Sequence, residues 1–306
     1  MIGVGELTDL NSPEFMAAFA EEQQLPTVAV PTPFEGLNKA LRDAGGGVGL
    51  APSWMCIIGA NPGHTKSVLA LNFAAKAIEH GSSVGFANLE MSKVQVASRF
   101  YAIQAGVPVA ALERGSFSPR IFETVESSRE LPAIYTPRTV STNYHDVVDF
   151  VRECHDERGV SFFVVDYVQL CAIAGVSGSD SIVEAVSNVT LDLREWAVSN
   201  DAIILLLSQF NRGVSSNYKD TPRSQGLYGS MVLESSADVC LLVDHSRVRR
   251  CPKGAGSFRS FLVVDKSRHG PSQFDIPFEV SMGTLRAREG MPDEVDEHWP
   301  TKKPKR

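Results

Sequence analysis

The sequence predicts an α/β fold in which helices flank both faces of a mostly parallel central sheet. Short apolar runs alternate with longer helical segments between residues 32 and 288, and this alternation is typical of a doubly wound sheet. Two of the runs, residues 162–165 and 203–207, are continuously apolar, as expected for strands buried on both faces of a parallel sheet. Ligands of such sheets bind at the carboxyl ends of the strands, so candidate functional residues are sought there.

The individual elements follow from local patterns. Strands are predicted where apolar and β-branched runs are bounded by polar or turn residues, at residues 54–59, 83–89, 133–135, 161–166, 202–208, 239–243 and 261–264. Helices are predicted where apolar residues recur at helical spacing, at residues 67–80, 93–104, 144–158 and 182–199. Residues 171–181 and 211–229 are rich in Gly, Ser, Asn and Arg, and long loops of this kind inside a domain are usually functional or disordered.

Three parts of the chain are predicted. Residues 1–31 form an appendage. A short helix is predicted at residues 13–23, suited either to docking on another subunit or to folding back on its own subunit. A Pro-rich linker follows at residues 26–33. Residues 32–288 form the α/β domain. Residues 289–306 are acidic and then basic, and a disordered tail is expected there.

Composition excludes several classes of protein. With 43% hydrophobic and 21% charged residues, intrinsic disorder of the whole chain is not expected. The net charge of −7 excludes a uniformly basic nucleic-acid-binding protein, although a local basic groove can still bind nucleic acid. The five cysteines are scattered and include no CxxC pair, which favours a reducing cytoplasm over a disulfide framework or a zinc site. No signal peptide or membrane-crossing run is recognised, so no membrane partner is expected.

A candidate phosphate-binding loop follows the first predicted strand. It has a strand before it and a helix after it, as a P-loop requires, and its residues are Asn61, Pro62, Gly63, His64, Thr65, Lys66 and Ser67. Amide groups at the helix start would face phosphates, while Lys66 would reach the β- and γ-phosphates and the Ser67 hydroxyl would bind Mg²⁺. Ala60 and Thr65 occupy the two positions where the P-loop pattern has glycine. An ordinary strand–turn–helix with a chance Lys-Ser is the alternative.

Three further strands end in residues with suitable chemistry. Glu90 follows one strand and can polarise an attacking water, and Asp166 ends another in the position of a carboxylate that holds Mg²⁺. Gln209 ends the third and can sense a γ-phosphate through a hydrogen bond. Each residue alone could be a plain polar strand end, but chance rarely places four apt groups at the ends of four core strands. Together they predict a site for ATP and Mg²⁺.

Four short motifs carry a resemblance to a known family. They are residues 88–91 (Asn-Leu-Glu-Met), 166–170 (Asp-Tyr-Val-Gln-Leu), 208–212 (Ser-Gln-Phe-Asn-Arg) and 266–271 (Lys-Ser-Arg-His-Gly-Pro). In this order the motifs resemble those of the DnaB-type replicative hexameric helicases, which have a RecA-like P-loop ATPase core, and the similarity covers residues 32–288.

The resemblance implies a role for each matching residue. Lys66 and Ser67 match the P-loop lysine and hydroxyl, and Glu90 matches the catalytic glutamate. Asp166 matches the Walker B aspartate, and Gln209 matches the γ-phosphate sensor.

The last motif supplies two further matches. Arg268 matches the arginine finger, which in this family acts on the ATP of the neighbouring subunit, and Lys266 matches its companion. The alternative for this pair is a solvated basic strand end.

The resemblance also implies partners. It predicts a homo-oligomer, most simply a hexamer, that moves on single-stranded DNA with a primase or a helicase loader as a further partner. The cations expected near DNA phosphates are Arg212, Lys219 and Arg223. The family's N-terminal collar domain has no counterpart in the sequence given, which favours a phage or mobile-element type of helicase.

Two other hypotheses stay open at this stage. One is a RecA-like recombinase or a regulatory ATPase of the same fold. The other is a degenerate P-loop protein that binds DNA with weak turnover, for which Thr65 is the main support.

Overall fold

A computed structural model of the chain describes residues 29–41, 47–63, 65–115, 118–137, 144–170, 182–211, 223–227, 229–244 and 256–290. Within these ranges nine strands form one sheet in the order β3-β2-β4-β5-β1-β6-β7-β8-β9. The strands are β1 (Met55–Ala60), β2 (Val84–Asn88), β3 (Ile134–Tyr135), β4 (Phe162–Asp166), β5 (Ile203–Gln209), β6 (Val239–Asp244), β7 (Ser257–Ser267), β8 (Phe274–Ser281) and β9 (Ala287–Glu289). The first six are parallel, and β7, β8 and β9 extend the sheet in antiparallel pairing.

Helices cover both faces of the sheet, so the predicted fold class is confirmed. They are α1 (Glu35–Ala40), α2 (Lys66–Glu79), α3 (Lys93–Ala105), α4 (Val109–Glu113), α5 (Pro119–Ser127), α6 (Tyr144–Arg158), α7 (Ile182–Ser199) and α8 (Ser230–Ser236). None of the helices in the described ranges could serve as a membrane span.

Alternate residues of the central strands enter two separate apolar cores. In β1, Cys56 and Ile58 join the core under α1, α2 and α3, whereas Met55 and Ile57 join the core under α6, α7 and α8. All six residues of β1 are buried, which explains why its sequence is continuously apolar rather than alternating.

In the antiparallel extension, sequence patterns predicted residues 261–264 of β7 as a strand, but they predicted neither β8 nor β9. Strand β8 alternates apolar and polar residues, but it contains Pro277, which argues against a strand because proline cannot donate to a sheet ladder. Strand β9 is only three residues long and is secured by Asn72 on α2, whose side chain accepts a hydrogen bond from the Ala287 amide at 2.8 Å and donates one to the Leu285 carbonyl at 2.9 Å. These contacts join residues more than 200 positions apart.

The structure adjusts both predicted boundaries of the α/β domain. Val30 pairs with Leu50 and is buried, so the folded part begins before residue 32. At the other end Glu289 belongs to β9 and accepts a hydrogen bond from the Gly36 amide at 2.8 Å, so residue 289 is not part of a tail. The predicted helix at residues 13–23 and residues 291–306 lie outside the described residues.

The described cysteines agree with the prediction of unpaired thiols. Cys56, Cys154 and Cys240 are free and buried. Burial is the main cause that raises the pKa of all three thiols, to about 11 for Cys154.

Candidate functional site

Four neighbouring strands bring the predicted site residues to one edge of the sheet. Strands β2, β4, β5 and β1 lie side by side and parallel. Asn88 is in register with Asp166, and Ala60 is in register with Gln209. Because Val165 is in register with Leu206, β2 and β4 end two residues before β1 and β5, at the same edge of the sheet. We call this edge the phosphate edge. Glu90 follows β2 there as an exposed residue, and the candidate phosphate loop follows β1.

The backbone of the candidate loop turns through two left-handed residues. Gly63 has a φ of 75° and Thr65 a φ of 59°. A Cβ added to Gly63 would meet nothing within 4 Å, so glycine is favoured there by its backbone angle rather than by space. Thr65 adopts a left-handed conformation of the same kind, and this conformation is a genuine outlier for a β-branched residue. The loop therefore has the backbone form that glycine normally supplies at position 65, at a conformational cost.

The remaining loop residues differ in exposure. Pro62 is exposed, Ser67 is half-buried in the first turn of α2, and His64 lies outside the described residues. Asn61 is half-buried, and its Oδ1 atom has no hydrogen-bond partner among the described residues. The side chain of Lys66 is directed inward and is only 8% exposed.

A buried pair of opposite charges lies where the loop meets β4. Lys66 Nζ is 3.4 Å from Asp166 Oδ1 and 4.0 Å from the centre of the Tyr167 ring. Both carboxylate oxygens of Asp166 are buried and have no hydrogen-bond partner among the described residues. A buried carboxylate normally accepts several hydrogen bonds or binds a cation. The donor set of Asp166 and the Ser67 hydroxyl therefore fits Mg²⁺, which prefers oxygen ligands.

Tyr167 interacts with Lys66, Glu90 and Gln209, three of the predicted site residues. The sequence analysis gave Tyr167 no role, although it belongs to the Asp-Tyr-Val-Gln-Leu motif. Its pKa is raised by burial first and then by the negative charge of Glu90, while a hydrogen bond with the Gln209 side chain opposes the rise. Gln169, from the same motif, makes two hydrogen bonds to the end of β5. Its Nε2 donates to Ser208 Oγ at 2.8 Å, and its Oε1 accepts from the Gln209 amide at 3.3 Å.

Lys266 and Arg268 are not at the phosphate edge. They lie at the end of β7, where Lys266 Nζ donates to the Glu234 carbonyl and an Arg268 guanidinium nitrogen donates to the Ser235 carbonyl. Both carbonyls belong to the last turn of α8, where the helix dipole favours cations. Burial and then the charge of Arg268 lower the pKa of Lys266. Arg268 Nη1 also lies 3.7 Å from Asp238 Oδ1.

The length of β1 separates Arg268 from the phosphate loop of its own chain. Arg268 donates its amide to the Asp238 carbonyl at 2.8 Å, and the Asp238 amide donates to the Met55 carbonyl at 2.8 Å. Met55 begins β1, and Ala60 ends it at the phosphate edge. Five residues of strand span roughly 17 Å. We call the end of the sheet near Met55 the opposite edge.

Asp238 organises the opposite edge, and neither it nor its partner Arg194 was predicted as a site residue. Asp238 is 2% exposed, and both of its oxygens contact the Arg194 guanidinium, with Nη2 to Oδ1 at 3.2 Å. The Met55 amide donates to Oδ2 at 2.8 Å. His269 stacks on Trp54 with ring centres 4.4 Å apart, and its Nε2 lies 3.8 Å from Oδ1. The segment that carries Arg268 is thus held by a buried charge cluster.

The structure describes only one of the three predicted DNA-binding residues. Arg212 and Lys219 lie outside the described residues. Arg223 Nη1 is 2.9 Å from Asp265 Oδ1, and the Ser224 amide donates to Oδ2 of the same carboxylate at 2.9 Å. Arg223 keeps 54% of its side chain exposed, so this ion pair leaves part of the guanidinium accessible.

The fold and the grouped residues define a P-loop ATPase-like α/β domain. The sequence profile of the DnaB-like helicase C-terminal domain matches residues 29–284, and the chain belongs to this family.

Two curated relatives and one solved structure indicate how far the likeness extends. The replicative DNA helicase DnaB of Leifsonia xyli subsp. xyli is 29% identical over 252 residues, which cover 80% of this chain and 52% of that protein. A probable plasmid replicative DNA helicase of Chlamydia psittaci is 28% identical over 220 residues, covering 70% of this chain and 47% of that protein. This chain therefore spans about half the length of these relatives.

The solved structure is that of a DnaB-like replicative helicase, described with its interactions with primase. It has a TM-score of 0.72 at 17% identity, covering 93% of this chain and 67% of that chain. At this identity the likeness concerns the fold.

Proposed function

We propose that this protein is an ATP-dependent, ring-forming DNA helicase or translocase that moves on single-stranded DNA, of the type found in phages and mobile elements. Family membership supports ATP-driven work on DNA. The observation that carries the proposal is the separation of the two halves of the site. The loop and its carboxylates lie at the phosphate edge, whereas Arg268 lies at the opposite edge, so a complete site requires a second subunit.

Each residue of the phosphate edge has a proposed task. Lys66 binds the β- and γ-phosphates, and the loop amides before α2 orient them. Ser67 and Asp166 hold Mg²⁺, which neutralises phosphate charge when it is bound. Glu90 orients the attacking water and accepts its proton. Gln209 hydrogen-bonds the γ-phosphate, and its contact with Tyr167 positions it beside the Lys66–Asp166 pair.

Arg268 is proposed to complete the site of the neighbouring subunit, with Lys266 as its companion. An arginine supplied in trans stabilises charge in the transition state and makes hydrolysis depend on assembly. A contact between the opposite edge of one subunit and the phosphate edge of the next is heterologous, and such contacts close into rings when the rotation allows. A hexamer is the ring that we propose, with residues 1–31 docking on the adjacent subunit.

The remaining partners are proposed from the relatives. Arg212 and Lys219 lie between β5 and α8, and their charges suit contacts to the phosphates of single-stranded DNA. The solved helicase described with its interactions with primase supports a primase or a loader as a further partner. A cytoplasmic location fits the free thiols of the described residues.

ATP hydrolysis with and without single-stranded DNA, measured across protein concentration, tests the proposal. Turnover per chain should rise with assembly and with DNA, and Arg268→Ala should lose it by about 10³-fold or more. Arg259→Ala is a matched control, because Arg259 lies on the same β7 with 41% of its side chain exposed against 43% for Arg268. Equal losses in both variants, or turnover independent of concentration, would contradict an arginine acting in trans.

Mixed rings test the trans arrangement directly. Lys66→Ala removes the phosphate half of the site, and Arg268→Ala removes the other half. Each variant alone should be inactive, whereas a mixture should regain activity because an Arg268→Ala subunit has an intact phosphate edge beside a neighbour with an intact arginine. A mixture as inactive as its components would contradict the arrangement, and open filaments on DNA instead of rings would favour a recombinase.

A further inference from the structure

A short segment between the two candidate half-sites is attached to the end of β5. Strand β5 ends at Gln209, and the chain is described again from Arg223. We call residues 223–227 the return segment. Phe210 forms an antiparallel bridge with Leu227, and the Asn211 amide donates to the Gly226 carbonyl at 2.9 Å. The return segment is therefore tied directly to the residues that follow the proposed γ-phosphate sensor.

The same segment packs closely against β1. Leu227 is fully buried, and a Cβ added to Gly59 would lie 2.6 Å from its Cδ2 atom. Gly59 is the penultimate residue of β1, immediately before the phosphate loop. Because packed interiors have little free volume, the Leu227 side chain and the end of β1 cannot move independently.

The other end of the return segment is attached to β7 by one carboxylate. Asp265 binds Arg223 through Oδ1 and the Ser224 amide through Oδ2, both at 2.9 Å. The Asp265 side chain is 7% exposed, and Ser224 is 2% exposed, so the hydrogen bond to Ser224 is largely shielded from water. The Arg223 side chain stays 54% exposed. Asp265 directly precedes Lys266 on β7.

We propose that Asp265 is a positioning residue that couples the nucleotide state at Gln209 to the position of Lys266 and Arg268 in the same chain. A shift of Gln209 moves the return segment through Leu227, and Asp265 transfers the movement to the end of β7. Helix α8 begins a few residues after the return segment and binds Lys266 and Arg268 by its last carbonyls, so both supports of the pair move together.

This coupling deepens the proposed function, on which it rests. If Arg268 acts on the next subunit's ATP, the chain through Asp265 lets each subunit report its own nucleotide to its neighbour. In this scheme Arg223 anchors the return segment through Asp265 rather than contacting DNA. Its ion pair with a nearly buried carboxylate supports this assignment.

Hydrogen exchange of the full chain tests the coupling. The readout is the exchange rate of β7 amides 264–268 with and without a non-hydrolysable ATP analogue, at a protein concentration below assembly so that no neighbour contacts Arg268. In the wild type the analogue should change exchange by about fivefold or more, the ordinary size of allosteric coupling. Asp265→Ala should abolish this response while binding the analogue with unchanged affinity.

Two further variants separate coupling from general stability. Glu279→Ala breaks the ion pair of Arg259 on the same β7, whose Nε–Oε2 distance is 3.0 Å, and it should keep the wild-type response. Asp265→Asn keeps an acceptor for the Ser224 amide and should give an intermediate response. In assembled rings Asp265→Ala should also lose the cooperative dependence of hydrolysis on ATP concentration.

The possible outcomes distinguish this inference from the proposed function. A wild-type response that persists in Asp265→Ala, or no response in the wild type, overturns the coupling. An intact response together with hydrolysis that ignores both DNA and assembly overturns the proposed function and leaves the coupling within one chain standing.

Discussion

Thr65 offers a sharp test of how well the phosphate loop is formed. Thr65 adopts a φ of 59°, a conformation that costs an L-residue about 1–2 kcal/mol. Thr65→Gly removes this cost, but it also gives the unfolded chain more conformational freedom, which opposes the gain by about 0.4–1 kcal/mol. The free energy of unfolding should therefore rise by an amount between about 0 and 1.6 kcal/mol.

Nucleotide affinity should change much less than this strain suggests. We expect the loop to hold this left-handed form both without and with nucleotide, so the strain should cancel in the binding free energy. Thr65→Gly should change the dissociation constant for an ATP analogue by less than about threefold, or about 0.6 kcal/mol. Titration calorimetry gives the affinity, and urea unfolding gives the stability.

Thr65→Ala is the matched control for this experiment. It removes the hydroxyl and the branch but keeps the Cβ that causes most of the strain, so it should not stabilise the protein. The difference between the glycine and alanine variants then isolates the backbone cost. An affinity gain of about tenfold or more in Thr65→Gly, about 1.4 kcal/mol, would refute a preformed loop and favour a handicapped nucleotide site.

Three further predictions concern the buried Arg194–Asp238 ion pair, the buried Cys154 thiol and the Arg223 side chain. Arg194→Ala leaves the buried Asp238 without its main partner and should lower the free energy of unfolding by about 3–5 kcal/mol. Arg259→Ala breaks a partly exposed pair and should cost less than about 1 kcal/mol. Equal losses on urea unfolding would contradict this. Burial and then a neighbouring glutamate raise the pKa of Cys154 to about 11. Its alkylation rate should therefore rise about tenfold per pH unit between pH 7 and 10, because only the thiolate reacts. A rate that reaches a plateau near pH 9, measured by peptide mass spectrometry, would contradict this. Arg223→Ala should leave the salt dependence of DNA binding unchanged, whereas loss of a single-strand phosphate contact would lower the slope of log affinity against log salt by about 0.7.

The candidate site could be predicted well where it depends on strand ends. Parallel strands of one sheet place their carboxyl ends at one edge, so Asp166 and Gln209 could be assigned to a common site from the order of elements alone. The main supporting contact, between Tyr167 and Gln209, was not predicted, because a tyrosine inside a motif gives no sign of which neighbour it meets. For Arg223 the sequence indicated only a charge in a loop, and the pairing with Asp265 required the fold.

The sequence by itself determined the doubly wound class, the parallel strands and the identity of the phosphate edge. These features depend on apolar runs and on residues next to them in the chain, which act locally. Only the tertiary structure decided that Arg268 lies at the opposite edge, that Asp238 and Arg194 hold it there, and that β8 and β9 extend the sheet. Each of these depends on pairing between residues far apart in sequence, such as Arg194 with Asp238 and Asn72 with Ala287, and local patterns do not encode which distant partners meet.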